Sequence, residues 1–323
     1  MSLFHRHAGE SGTLPDQGRS PGFDRASGWL NSPALTGDDL HGKVVLADFW
    51  TYTCINWLRT LGYVRAWADK YEDRGLIVVG VHTPEFPFEQ DVENVRWAAE
   101  QMDVRYPIAL DPSYAVWEAF DNHYWPAVYI ADADGRIRHH HFGEGGYDEC
   151  ERVVQQLLRE AGGEDVSDDL VSITPEGFEA QADWENLGSP ETYLGAQQGE
   201  RRTDAAAGSL RLNQWSLTGD WSVASRACVL GAGAGAIAYR FHARDVHLVM
   251  GPRTEEASVP FRVLVDGAPP LDAHGLDVDD QGHGTVVHQR LYQLVRKHGP
   301  IVDSTIEITF PEGGVEAYVF TFG

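Results

Sequence analysis

The spacing of apolar residues divides the chain into two halves with different periods. Residues 44–50 form an apolar run broken only by Asp48, which predicts a central strand buried on both faces. Beyond it Trp57, Leu58, Leu61, Val64, Trp67 and Ala68 recur at helical spacing, until Asp73-Arg74-Gly75 stops the helix. Residues 76–81 read as a second buried strand, 82–87 as a loop, and 89–102 as a helix with Val92, Val95, Ala99 and Met102 on one face. A short strand over 106–110, a short helix over 112–120 and a strand over 127–131 follow. Ala133-Asp134-Gly135 turns the chain into a further strand over 136–142. The last helix, 147–161, has Val153, Val154, Leu157, Leu158 and Ala161 as its apolar stripe. Strands joined by helical crossovers run parallel and the late hairpin runs antiparallel. The first half is therefore an α/β unit, a mixed sheet with helices on both faces.

After about residue 210 the period changes. Short alternating segments at 221–229, 236–243, 245–250, 260–265, 284–288, 305–310 and 315–322 are separated by Gly231-Ala232-Gly233, Asp266-Gly267 and Gly313-Gly314. Strands at this spacing without intervening helices predict an all-β sandwich or jelly roll. The resulting organisation is a flexible N-terminal arm over 1–24, an α/β domain over 25–162, a linker over 163–199 that packs on at least one domain, and a β domain over 200–323. Within 21–40, Trp29-Leu30 and Leu35 around Asn-Ser-Pro suit a short hairpin leading into the first core strand.

Two domains also fit the length of 323 residues, and 42% apolar with 23% charged residues is an ordinary globular composition. The net charge of −24 excludes nucleic acid and anionic membrane surfaces as partners, since both would repel the chain. No apolar run reaches bilayer-spanning length, and the polar first 19 residues lack the apolar centre of a secretory signal. As written the chain reads as cytoplasmic and without a membrane segment; a piece of a longer exported protein would read the same way. Three widely spaced cysteines, Cys54, Cys150 and Cys228, make neither a disulfide framework nor a zinc site.

The chemistry concentrates at Trp50-Thr51-Tyr52-Thr53-Cys54-Ile55-Asn56-Trp57. Cys54 follows a strand and opens a helix, where unpaired N–H groups and the positive end of the dipole favour a thiolate. That placement favours a reactive thiol over a small buried apolar residue. A partner thiol three residues on is absent, and Trp57 stands there. His139-His140-His141 could suggest metal, yet on a strand His139 and His141 share one face and His140 takes the other, so a wet hairpin face is the better reading. Asp277-Val278-Asp279-Asp280-Gln281-Gly282 begins like a calcium loop, but His288 occupies the twelfth position and the EF-hand reading fails. We expect no cofactor and no metal. Trp215, Trp221, Tyr239, Tyr292 and Tyr318 are read mostly as sandwich core.

The run from Phe49 to Asn56 resembles the active-site stretch of TlpA-like thioredoxin-fold proteins, of the AhpC/TSA redoxin superfamily. In particular it resembles the soluble C-terminal region of DipZ-type proteins. The likeness continues through Gly80-Val81-His82-Thr83-Pro84-Glu85-Phe86, Tyr124-Trp125-Pro126-Ala127, Asp132-Ala133-Asp134-Gly135-Arg136 and His141-Phe142-Gly143-Glu144-Gly145. It resumes at Tyr239-Arg240-Phe241-His242-Ala243-Arg244-Asp245-Val246 and Gly314-Val315-Glu316-Ala317-Tyr318. The resemblance implies a thioredoxin fold for thiol–disulfide exchange, followed by a β-sandwich like a carbohydrate-binding module. It implies work outside the cytoplasm, and full-length relatives with a membrane electron-transfer domain ahead of this region. It implies that Pro126 is a cis-proline that positions substrate beside Cys54.

The family pattern is Cys-x-x-Cys, and Trp57 departs from it. A dithiol releases its mixed disulfide when the second cysteine attacks the first. Trp57 cannot do so and forms a pocket wall instead. The expected function is a single-cysteine thiol-redox protein in which Cys54 forms mixed disulfides, or a sulfenic acid, resolved by an external thiol. Its partners would be protein or small-molecule thiols and disulfides. Cys150, early in the last helix, is a weaker candidate for an unconventional resolving thiol. Thr51, three residues before Cys54, resembles the Thr-x-x-Cys of peroxiredoxins, although Ala47 stands where they carry proline. A one-cysteine peroxidase using Thr51 and Cys54 is one alternative. A redox-inactive binding protein whose β domain holds a glycan or protein is the other.

Overall fold

The computed structural model describes residues 13–163, 165–254 and 257–323. The chain divides into two units, each considered by itself. One contains the residues up to 51 together with 60–173; the other contains 52–59 together with 174–323.

The first unit's elements are β1 (Gly28–Leu30), α1 (Gly37–Leu40), β2 (Val44–Trp50), most of α2 (Ile55–Tyr71), β3 (Leu76–His82), α3 (Val92–Gln101), β4 (Ile108–Leu110), α4 (Ala115–Ala119), β5 (Ala127–Ala131), β6 (Ile137–Phe142) and α5 (Tyr147–Glu160). The strand order is β1-β4-β3-β2-β5-β6. β2, β3 and β4 are parallel, whereas β1, β5 and β6 pair antiparallel, which is the mixed sheet that the pattern predicts. All seven residues of β2 are buried, as a central strand requires. Its Val45, Ala47 and Phe49 join α4's Val116 and Trp117, with Phe120, in one core. α5 packs against β2, β5 and β6, burying Val153, Val154, Leu157 and Leu158.

α2 and α5 are joined through a buried carboxylate. Glu151 accepts from Trp67 Nε1 at 3.2 Å, Lys70 Nζ at 2.9 Å, Tyr71 Oη at 2.6 Å and the Val171 amide at 2.8 Å. Removing the acceptor strands several buried donors at once, so Glu151→Ala should destabilise this unit by about 3 kcal/mol. Lost amide protection in α2 and α5 by hydrogen exchange would report it; unchanged protection would mean that the network contributes little.

Several expectations are corrected here. Residues 14–20, part of the arm expected to be flexible over 1–24, lie along β6. Gln17 N donates to Ile137 O at 2.9 Å, Ile137 N to Gly18 O at 2.8 Å, and Arg138 Nη2 to Leu14 O at 2.7 Å. An edge strand offers open backbone groups, and this segment satisfies them; residues 1–12 of the arm lie outside the described residues. The hairpin expected within 21–40 is not local, because β1 pairs with β4, and Asn31 Nδ2 donates to the carbonyls of Val104 and Tyr106. The helix expected over 89–102 begins later, at Val92, capped by the Asp91 carboxylate on Glu93 N. Glu89 is instead turned inward, accepting from the amides of Glu85 and Phe86.

The second unit carries β7 (Thr192–Tyr193), β8 (Trp215–Val223), β9 (Cys228–Phe241), β10 (Asp245–Pro252), β11 (Val259–Val265), β12 (His283–Val286), β13 (Arg290–Arg296), β14 (Ser304–Phe310) and β15 (Val315–Phe322). All their pairings are antiparallel, in the order β12-β11-β14-β9-β15-β10-β13, with β7 on β15 and β8 on β9. The 14-residue β9 pairs with β15 at its start and with β14 over its second half, so one strand serves both parts of the array. The turn expected at Gly231-Ala232-Gly233 is therefore strand. Glycine serves close approach there, since a Cβ on Gly231 would collide with the Asp220 carboxylate, and one on Gly235 with Leu230 and the Trp221 indole. The strand expected over 221–229 is likewise two, ending at Val223 and restarting at Cys228.

Candidate active site

β2 ends at Trp50, whose carbonyl accepts from Thr83 N at 3.0 Å. The Cys54 carbonyl accepts from Leu58 N at 3.0 Å, which makes Cys54 the N-cap residue of the 17-residue α2. Its thiol thus stands at the positive end of the helix, where anions are favoured. Between residues 51 and 60 only Cys54 and Asn56 keep part of their surface; the rest are buried. Cys54 is in no disulfide, and Trp57, one helical turn on, has no exposed surface. Thr51 is fully buried, and its Oγ1 has no hydrogen-bond partner among the described residues.

The Trp125–Pro126 peptide is cis. Pro126 is buried, its carbonyl accepts from Gly143 N at 2.8 Å, and Ala127 just after it pairs with Phe49 of β2. The sheet register thereby sets Pro126 beside the end of β2, which lies four residues before Cys54 in sequence. Trp125 rests on Trp117, with ring centroids 4.3 Å apart.

Two further polar residues close on the same strand ends. Asp48 has no exposed surface and accepts from Tyr106 Oη at 3.5 Å. Burial, then the Asp48 charge, hold the Tyr106 phenol well above its usual range. His82 pairs with Trp50 in register, its ring 4.8 Å from the indole, and burial pushes it down to about 3, so it is neutral at physiological pH. Neither was singled out from sequence. The available signal was Asp48 itself, a lone carboxylate in a strand buried on both faces.

Cys150 is buried in the first turn of α5, with Sγ 3.7 Å from His139 Nε2. Burial pushes this thiol up to about 12, which leaves it protonated at neutral pH. Cys228 is a core residue donating to Leu194 O, its thiol pushed up by burial to about 11. The three histidines disperse: His139 faces Cys150, His140 meets Gln17 at 2.7 Å and His141 turns towards Glu144 O. Asp277 pairs with Arg290, and Asp279 accepts from the amides of Gln281 and His283, so the calcium-like stretch is a self-satisfied turn. Among the described residues no group of three or more His, Cys, Asp or Glu could hold a metal ion. Among them, too, no helix is long and apolar enough to cross a membrane. Trp215, Tyr239, Tyr292 and Tyr318 are buried and Trp221 packs on Phe310, so these rings are core.

A family model described as "AhpC/TSA family" matches residues 31–140, and one described as "Thioredoxin like C-terminal domain" matches residues 189–323. Protein DipZ of Mycobacterium bovis is 35% identical over 325 residues, covering 96% of this chain and 44% of that protein. The chain thus spans less than half of DipZ. Thiol-disulfide oxidoreductase YkuV of Bacillus subtilis is 33% identical over 132 residues, covering 41% of this chain and 88% of YkuV. Among solved structures, the solution structure of a thioredoxin-like protein in the oxidized form is 32% identical, covers 45% of this chain and 96% of its own, and superposes with a TM-score of 0.40. A strand-to-helix cysteine, a mixed sheet of this order and a relative matched over most of its length agree, and the chain belongs to the AhpC/TSA family of thioredoxin-fold proteins, with a thioredoxin-like C-terminal domain after the redoxin domain.

Proposed function

We propose that the protein performs thiol–disulfide exchange through Cys54 alone. The observation that carries this reading is a half-buried cysteine, outside any disulfide, capping α2 with a buried tryptophan one turn on. The Cys54 thiolate attacks one sulfur of a disulfide R–S–S–R′, forming Cys54–S–S–R and releasing R′–S⁻. An external thiolate R″–S⁻ then attacks the sulfur of R, giving R–S–S–R″ and restoring the Cys54 thiolate. Pro126 holds the extended partner beside Cys54, and Trp57 walls the pocket. Substrates are protein or small-molecule disulfides, in keeping with the oxidoreductase name of YkuV.

Mass spectrometry after exposure to glutathione disulfide tests this. One glutathione adduct is expected, mapped to Cys54, absent from Cys54→Ser and removed by excess thiol. No adduct on the wild-type protein would end the proposal.

The buried, unpartnered Thr51 hydroxyl favours a second reading, peroxide reduction. Cys54–S⁻ would then displace alkoxide or hydroxide from the O–O bond to give a sulfenic acid, which external thiols convert to disulfide and water. Peroxide consumption that falls with Thr51→Val while glutathione adduction persists would support it over simple exchange.

A further inference from the structure

A buried cationic cluster in the second unit has no part in the chemistry above. Arg59, in the second turn of α2, is 1% exposed, and its Nη2 donates to Phe322 O at 3.2 Å. Asp245, at the start of β10, is fully buried and accepts from Arg244 Nε and Nη2 at 3.1 and 2.7 Å, and from Arg296 Nε and Nη2 at 2.8 and 3.1 Å. Asp245 and Gly323 exchange backbone hydrogen bonds of 2.7 and 3.3 Å. A Cβ on Gly323 would collide with Arg59 Nη2 and lie 3.3 Å from Asp245 Oδ2, so both groups close on the same glycine.

A buried guanidinium is costly unless its donors are satisfied, and Arg59 is held by the end of β15. Arg59 lies five residues after Cys54, roughly 7.5 Å along a helix axis that transmits position rigidly. The whole segment Tyr52–Arg59 groups with residues 174–323. We infer that Arg59 is a positioning residue for Cys54: its bond to the end of β15 holds the first turn of α2 in place, and this tether sets how readily the Cys54 thiol is reached. The inference rests on Cys54 being a reactive thiol.

Alkylation of Cys54 by iodoacetamide in the full chain, followed by mass spectrometry from pH 5 to 10, tests it. The high-pH plateau rate reports access, and the midpoint reports charge. Arg59→Met should raise the plateau about tenfold as the turn opens locally. Arg59→Lys, which keeps charge and a donor, should stay within about threefold of wild type. Gly323→Ala displaces the guanidinium from the other end, leaves the helix sequence intact, and should raise the plateau in the same direction; it decides the matter if the methionine variant does not fold. Tyr292→Phe, which loses a 2.8 Å bond to His288 O elsewhere in this unit, is the control for general loosening and should leave the plateau unchanged. Equal plateaus in wild type, Arg59→Met and Gly323→Ala would overturn the inference alone. Equal gains in Tyr292→Phe would overturn it as well. A Cys54 that resists alkylation in every variant would remove the reactive-thiol reading and the inference with it.

Discussion

A Trp57→Cys variant is expected to release a Cys54 mixed disulfide about a thousandfold faster than wild type, without external thiol. Under the proposed single-cysteine exchange, the wild-type adduct waits for a second molecule. A thiol at position 57, one helical turn from Cys54, attacks Cys54 intramolecularly, forms a disulfide within the motif and expels R–S⁻. Positioned groups reach effective concentrations far above the roughly millimolar level of a solution thiol, and the figure is a conservative part of that range. The gain comes with a loss. Trp57 has no exposed surface, so removing its indole leaves a cavity costing about 3–5 kcal/mol. Quenched-flow measurement of glutathione release reads the first effect, and urea unfolding reads the second. Release that still depends on added thiol at the wild-type rate constant would show that positions 54 and 57 are not geometrically coupled. Trp57→Phe, which keeps most of the bulk, should reproduce neither the release nor the full loss.

Acidification from pH 8 to pH 5 is expected to destabilise each unit by about 2 kcal/mol through a single histidine. His82 in the first unit and His247 in the second are both pushed down to about 3 by burial, against 6.5 when free. The unfolded chain therefore takes up a proton at each site below pH 6.5, which the folded chain refuses until near pH 3. Stability is full above 6.5 and falls steadily as the pH drops towards 3. Asp245 adds to this in a lower window. Burial works to raise its pKa, but the hydrogen bonds of Arg296 and Arg244 prevail and hold it below the ordinary 3.8, so its contribution is lost only as it protonates. Urea midpoints at pH 8, 6.5 and 5, with His82→Gln and His247→Gln flattening the slope of their own unit, would check this. Midpoints unchanged across that range would contradict it.

Much of the first unit was legible because its signals are local and strong. An apolar run such as Val44–Trp50 has one plausible fate, and a cysteine following it opens a helix. β15 was legible for the same reason. β9 was not, because the glycines that ordinarily signal a turn are there to let Asp220, Trp221 and Leu230 approach the backbone. β13 was missed because Leu291, Tyr292, Leu294 and Val295 are all buried, which breaks strict alternation. At the site, position was readable and environment was not. Asp48 owes its burial, and His82 its burial and neutral state, to distant residues. The buried, protonated condition of Cys150, which weakens its candidacy as a resolving thiol, depends on α5 packing that spacing alone does not specify.

The bond from Arg59 to Phe322 spans 263 residues of sequence. A ribosome adding 5–20 residues per second needs roughly 13 to 50 s to cover that interval. During synthesis the turn bearing Cys54 exists well before the strand that fastens it. For that time Arg59 lacks the Phe322 carbonyl that it bonds in the completed fold. The order of synthesis thus makes this tether one of the last long-range bonds that the chain can close.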